Sequence, residues 1–229
     1  MRMLVIEGMD GTGKTSVVDE LEYQSSEWQH AARTHNFPTN LPTKEDKQDQ
    51  LARSLFHLQD FRTHVHNMRG HKGPLVFDRA FMSTLVYQGF TEGVLKDPIR
   101  YESLFALGAE AFLGDSRLGK VVGGPRIEAV FALLYCPVSV ANTRITQRQE
   151  GRPDEVEMMG KEERLGHLSL LKKRYEIVMA DVESRLPVLY PQVKFSFKRI
   201  NTMSLAPEEV AGGLLPDLET LRGSQMELL

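Results

Sequence analysis

The segment Met3-Leu4-Val5-Ile6-Glu7-Gly8-Met9-Asp10-Gly11-Thr12-Gly13-Lys14-Thr15 passes from an unbroken apolar run, through a glycine-rich turn, into a stretch of helix formers. Consecutive apolar residues ended by a turn mark a central strand buried on both faces. Gly8 through Thr15 then fits G-x-x-x-x-G-K-[ST] at every fixed position. The pattern has a physical reason. Glycines let the backbone wrap a phosphate with its N–H groups turned inward. A helix beginning near Lys14 presents its positive N-terminal end to the same anion. Gly8, Asp10, Gly11, Thr12, Gly13, Lys14, Thr15 and Ser16 are therefore candidate nucleotide-binding residues. Lys14 reaches for the β- and γ-phosphates, and Thr15 offers a hydroxyl to Mg2+. The loop points to nucleotide binding and leaves the substrate open.

The rest of the chain repeats the alternation. Thr15–Tyr23 is read as a helix, and His30–Phe37 as a second strand ending at Pro38. Gln50–Met68 carries apolar residues at Leu51, Leu55, Leu58, Phe61 and Val65, steps of three and four that predict a helix with one buried face. Leu75–Phe77 is a third strand, with a helical segment starting near Ser83 and another over Tyr101–Phe112. Ile127–Tyr135 is the clearest strand of all. Helices follow at Val138–Gln149 and Lys161–Leu186, a last strand at Lys194–Ile200, and a last helix at Pro207–Leu221. Strands alternating with helices predict an α/β fold, a doubly wound parallel sheet in one domain spanning residues 1–229. Sites in such sheets lie at the carboxyl ends of the strands. That rule gathers Gly8–Thr15, Asp78–Gly89 and the loop after Tyr135 at one edge.

Bulk properties narrow the classes. The chain has 229 residues, 28 Lys+Arg against 31 Asp+Glu, and a net charge of −3. It is too apolar for a disordered chain and not basic enough for binding that rests on phosphate-backbone contacts, so nucleic acid is not the expected partner. The longest apolar run, Ala129 to Cys136, is far short of a membrane span of about 20 residues. The single Cys136 excludes an internal disulfide. The apolar stretch at Met3–Ile6 stops at Glu7, too soon for the apolar core of a secretory signal, which predicts an intracellular, cytoplasmic protein.

A second motif follows the third strand: Asp78-Arg79-x-x-x-Ser83-Thr84-x-x-Tyr87-Gln88-Gly89. With Glu7-Gly8 through Lys14-Thr15, it resembles the thymidylate kinase family of P-loop nucleoside monophosphate kinases. Arg144, Arg148 and Arg152, followed by Asp154 and Glu157, resemble the family's lid, here about residues 144–160. The resemblance is anchored at residues 4–23, 75–90 and 127–200. It implies transfer of a phosphoryl group from ATP, with Mg2+, to a small nucleotide: dTMP or a related or modified pyrimidine deoxynucleoside monophosphate. It also implies a homodimer.

The resemblance assigns roles. Lys14, Arg79, Arg148 and Arg152 become the catalytic cations, with Arg79 on the acceptor's phosphate and the two lid arginines over the transferred group. Thr15 and Asp78 become the Mg2+ side chains. Asp10 would lie near the acceptor's 3′-hydroxyl, and Tyr87 against its sugar. Ser83, Thr84 and Gln88 would face the base or support that wall. Phe61 and Arg62, on the predicted helix over 50–68, are the candidates to stack on the base and read its edge, with Phe56 and Leu58 as alternatives. Phe37, of the matching Phe37-Pro38 pair, joins the acceptor side. The chain departs from the family at two places, both on the acceptor side: in the loop after the second strand, and in the base-reading helix over 50–68, which lies several residues closer to Asp78 than usual. An arginine expected beside Phe37-Pro38 is replaced by Asn40, with Arg33 nearby in sequence. The slot where some members carry an arginine in the phosphate loop is Gly11, so the lid has to supply it. The competing reading is a P-loop kinase acting on a nucleoside hydroxyl, or on a modified base in nucleic acid. It would need Glu7 or Asp78 as base.

Overall fold

The computed structural model describes residues 2–24, 32–35, 58, 62, 74–113, 127–147 and 160–215. In chain order the elements are β1 (Arg2–Glu7), α1 (Lys14–Gln24), β2 (Ala32–His35), β3 (Leu75–Asp78), α2 (Phe81–Gln88), α3 (Pro98–Leu113), β4 (Ile127–Tyr135), α4 (Val138–Gln147), α5 (Lys161–Leu189) and β5 (Val193–Asn201). A final helix, α6, covers 207–215. The strands pair in the order β2-β3-β1-β4-β5, all parallel. The expected α/β sheet is therefore present, with β1 at its centre.

The alternation of β1 sorts the core into two layers. Met3 and Val5 point to one face with Leu75, Phe77, Phe131 and Leu133, where α2, α3 and α5 pack. Leu4 and Ile6 point to the other with Val76, Val130 and Ala132, covered by Val17, Val18 and Leu21 of α1 and by Val210, Ala211 and Leu214 of α6. A sheet buried on both faces explains why its strands read as continuous apolar runs. Aromatic edges join the layers of the first face. The Phe77 and Phe112 rings lie 5.3 Å apart at 71°, and Phe112 and Phe131 5.6 Å apart at 63°. No helix among the described residues is long and apolar enough to cross a membrane.

The strand order also fixes where a ligand can enter. The crossover leaving β1 runs toward β2, and the one leaving β3 runs back past β1 to β4. Adjacent strands whose connections part in opposite directions leave a crevice at their carboxyl ends, and ligands bind there. The crevice lies between Glu7 and Asp78, where the two motifs meet.

Several boundaries differ from expectation; α3, for one, begins at Pro98, three residues before Tyr101. Helix α5 runs through Pro187 to Leu189 instead of stopping at Leu186. A proline removes one helical N–H and crowds the carbonyl four residues earlier. In the last turn little helix remains to be broken, and the Tyr190 N–H still donates to the Leu186 carbonyl at 2.9 Å. Helix α2 begins at Phe81, two residues before Ser83.

Helices α2 and α3 approach closely at Gly108. A Cβ there would lie 2.7 Å from the Phe81 side chain. Gly108→Val is expected to cost about 2–3 kcal/mol, the upper end of the overpacking range. The check is a lower urea midpoint with an unchanged m-value.

Candidate active site

The phosphate loop is built as its glycines require. Gly8 has φ 147° and Gly11 φ 79°, conformations that L side chains rarely adopt. Space forbids side chains as well: a Cβ on Gly8 would lie 2.3 Å from the Leu134 carbonyl oxygen, and one on Gly11 2.5 Å from that of Ala141. The Met9 carbonyl gathers the loop, accepting from Thr12 Oγ1 and from Lys14 Nζ, each at 2.9 Å. Val17 N–H donates to the Gly13 carbonyl at 3.0 Å, which closes the first turn of α1 directly behind the loop.

Lys14 is 7 % exposed. Burial, with the Arg79 guanidinium next in weight, lowers its ammonium to about 8, against the pull of Asp10, Asp78 and Glu7. The charge is therefore lost as pH rises through that value. A bound polyphosphate would restore it, so binding should take up a proton just above pH 8. Two results are expected: kcat/KM for ATP falls as pH passes about 8, and calorimetry in buffers of different ionisation enthalpy shows the uptake. ATP affinity that stays flat across this range would contradict the assignment.

The loop's outer wall comes from the end of α4 and from the segment after β5. Arg144, at the end of α4, donates to the Thr202 carbonyl at 2.6 Å, to Thr202 Oγ1 at 3.2 Å and to the Gly11 carbonyl at 3.4 Å. Thr202 Oγ1 donates in turn to the Thr12 carbonyl at 3.0 Å. Gly11–Gly13, Ser16, Arg144, Gln147, Thr202, Leu205 and Pro207 enclose a cleft of about 340 Å3. Its position, continuous with the loop and walled by aliphatic and guanidinium faces, suits a nucleotide base. Arg144 is thus a wall of the loop. Thr202, Leu205 and Pro207 escaped the motif reading. The available signal was their place after the last parallel strand, at the same carboxyl edge.

Across the crevice, Asp78 Oδ2 accepts from Thr15 Oγ1 at 2.8 Å. A hydroxyl and a carboxylate this close fit Mg2+, which commonly takes one or two protein carboxylates and fills its remaining positions with water and phosphate. Arg79 comes next, with φ 74°. A left-handed arginine is uncommon and costs of order 1–3 kcal/mol, a strain that collects at functional sites. The turn carries its side chain back over the crevice. There Nη2 pairs with Asp10, and Nη1 donates to Tyr175 Oη at 2.8 Å and to the Gly8 carbonyl at 3.3 Å. The Arg79 guanidinium lies 5.9 Å from the Tyr87 ring centroid, and Tyr87 Oη donates to Asp10 Oδ2 at 3.3 Å.

Glu7 lies beneath this group, 1 % exposed. It accepts from Ala80 N at 2.7 Å, Ser83 Oγ at 2.7 Å and Ser83 N at 3.3 Å. Burial pushes its carboxyl above the ordinary value, opposed by the Ser83 hydrogen bond and the Arg79 charge. Ser83, Thr84 and Gln88 are all buried on α2. The Ser83 hydroxyl is committed to Glu7, and Gln88 Oε1 finds no hydrogen-bond partner among the described residues. Tyr175 was not anticipated, because a tyrosine in the apolar stripe of a helix reads as core. Phe37, Phe61, Arg148 and Arg152 lie outside the described residues, as does most of the expected helix over 50–68. Of that helix, Leu58 is buried and Arg62 exposed.

Solved structures of a deoxyadenosine kinase from M. mycoides resemble the chain along its length. The one with bound dATP superposes with a TM-score of 0.59 at 15% identity, covering 96% of this chain and 100% of that one. The chain shares its fold with this deoxyadenosine kinase. The same kinase with bound dCTP gives a TM-score of 0.57 at 16% identity over 96% of this chain and 100% of that one. With dCMP and dCDP bound it gives 0.58 at 14% identity over 95% and 99%. No family model matches the chain, and no curated protein sequence does.

Proposed function

We propose that the protein transfers the γ-phosphoryl group of ATP to the phosphate of a deoxynucleoside monophosphate, dTMP or a related pyrimidine nucleotide, giving the diphosphate and ADP. One observation carries this reading. The carboxylates of Glu7, Asp10 and Asp78 are all engaged, beside a partly buried arginine that turns toward the crevice. A neutral hydroxyl acceptor needs a carboxylate to take its proton. A phosphate needs none, since it arrives as an anionic nucleophile, and it needs a cation. Arg79 suits it, because a planar guanidinium can grip phosphate oxygens two at a time.

The chemistry is then positioning and charge neutralisation. The loop amides and Lys14 hold the β- and γ-phosphates. Arg79 holds the acceptor phosphate, one of whose oxygens attacks the γ-phosphorus in line as the bond to the ADP oxygen breaks. Thr15 and Asp78 would hold Mg2+, which when bound neutralises charge on the β- and γ-oxygens. Asp10 would meet the acceptor's 3′-hydroxyl and Tyr87 its sugar. Gln88 Oε1, buried beside them, is available to accept from an N–H of the base. Arg148 and Arg152, within a lid of residues 144–160, are assigned the closing contacts, so that water is kept from the transferred group.

A second reading, a deoxynucleoside as acceptor, draws on the M. mycoides kinase, whose fold extends over almost the whole chain. A panel of nucleosides and their monophosphates, each with ATP and Mg2+, separates the two. Turnover of pyrimidine monophosphates but not of the parent nucleosides is expected. The reverse preference would replace the proposal with the second reading.

A further inference from the structure

We infer that Tyr175 of α5 is the positioning residue of the acceptor-side cation, holding one end of the Arg79 guanidinium so that the other end faces the substrate. The inference rests on the role proposed for Arg79. Its geometry is a chain of hydrogen bonds whose direction can be worked out from the number of protons. Ser83 has one hydroxyl proton, and Glu7 Oε2 takes it at 2.7 Å. Ser83 Oγ therefore has no proton for Tyr175, 2.9 Å away, and must accept one from it. Tyr175 Oη has then given its only proton and is left as an acceptor, which Arg79 Nη1 fills at 2.8 Å. The chain runs one way: Arg79 to Tyr175 to Ser83 to Glu7. It begins on a permanent cation and ends on a buried carboxylate.

The two ends of the guanidinium are thereby unequal. Nη1 is spent on fixed partners: Tyr175, Ser83 and the Gly8 carbonyl. Nη2 pairs with Asp10 of the phosphate loop, and it is the end an acceptor phosphate can share. Tyr175 is itself held firmly. Its neighbour Arg174 donates from Nε to the Gly93 carbonyl at 2.7 Å and from Nη1 to the Val86 carbonyl at 3.2 Å, which clamps α5 to the far end of α2. Burial pushes the Tyr175 phenol well above its ordinary value, so it remains a donor to Ser83 throughout the working pH range.

Tyr175→Phe removes one oxygen and keeps the ring that fills the core. In 15N NMR of the guanidinium groups, the wild-type protein is expected to show two separate, slowly exchanging Nη signals for Arg79, assigned by their loss in Arg79→Lys. In Tyr175→Phe they should merge as the group rotates. Unchanged Arg79 signals would overturn the inference. Kinetics give the second readout: KM for the acceptor nucleotide should rise about 10-fold or more with KM for ATP unchanged, and in an Arg79→Ala background Tyr175→Phe should add nothing. Equal losses for both substrates, or losses that persist without Arg79, would mean a merely structural tyrosine. If the wild-type protein phosphorylates no monophosphate, the proposed function fails and the NMR comparison still decides the role of Tyr175. Ser83→Ala, which removes the acceptor of the Tyr175 proton, serves should Tyr175→Phe not fold. It should increase Arg79 mobility in the same way, and unchanged Arg79 signals there would also count against the chain.

Discussion

Lys14→Ala is expected to lower kcat at least about 100-fold, the loss typical when one preorganised contact to developing charge is removed. Lys14 is 7 % exposed, and its ammonium is held by the Met9 carbonyl at the floor of the loop. No large rearrangement is needed to bring it to a phosphate lying in the loop, so its attraction for charge spreading over the β- and γ-oxygens is preorganised. A contact that strengthens in the transition state appears in kcat more than in KM. Folding should survive, because the substitution removes a buried charge whose own desolvation opposes burial, and Thr12 still donates to the Met9 carbonyl. Steady-state kinetics beside thermal unfolding provide the check. A rise in KM for ATP with kcat intact would mean that Lys14 only helps to bind.

Arg79→Ala is expected to reduce kcat/KM for the acceptor about 100- to 1,000-fold while leaving ATP affinity near its wild-type value. The asymmetry follows from position. Arg79 sits on β3's side of the crevice and pairs with Asp10, whereas Arg144 and Thr202 wall the other side of the loop. The backbone adds a second, independent signature. At φ 74° an alanine keeps the strain and a glycine releases it. Arg79→Gly should therefore be about 1 kcal/mol more stable than Arg79→Ala, and equally impaired. Equal stabilities would show that the turn is not strained, and loss of ATP binding would place the guanidinium on the wrong substrate.

Much of this site was legible because two short motifs have strict geometric demands. A strand, a glycine turn and a lysine at fixed spacing can cradle phosphate in one way, so Gly8–Thr15 and its flanking β1 and α1 could be read directly. The apolar runs at Leu75–Phe77 and Ile127–Tyr135 were equally plain, since strands buried on both faces cannot be polar. What local pattern could not reveal were contacts made across the chain. Tyr175 lies in the apolar stripe of α5, and only the fold brings its hydroxyl to Arg79. Glu7, open in the sequence as a base for a nucleoside reading, turns out to be consumed by α2's first turn. Arg144 belonged by spacing to the lid arginines, but its hydrogen bonds run to Thr202 and Gly11. Helix α5 outlasted Pro187 because the proline falls in its final turn.

The central claim is that the nucleophile is a phosphate. The most direct measurement is the 31P spectrum of the product formed from ATP, Mg2+ and each acceptor of the panel. A phosphoanhydride, seen as paired doublets of a nucleoside diphosphate distinct from ADP and formed from the monophosphate, is the result predicted. A phosphomonoester singlet formed from a nucleoside, or inorganic phosphate alone, would contradict it.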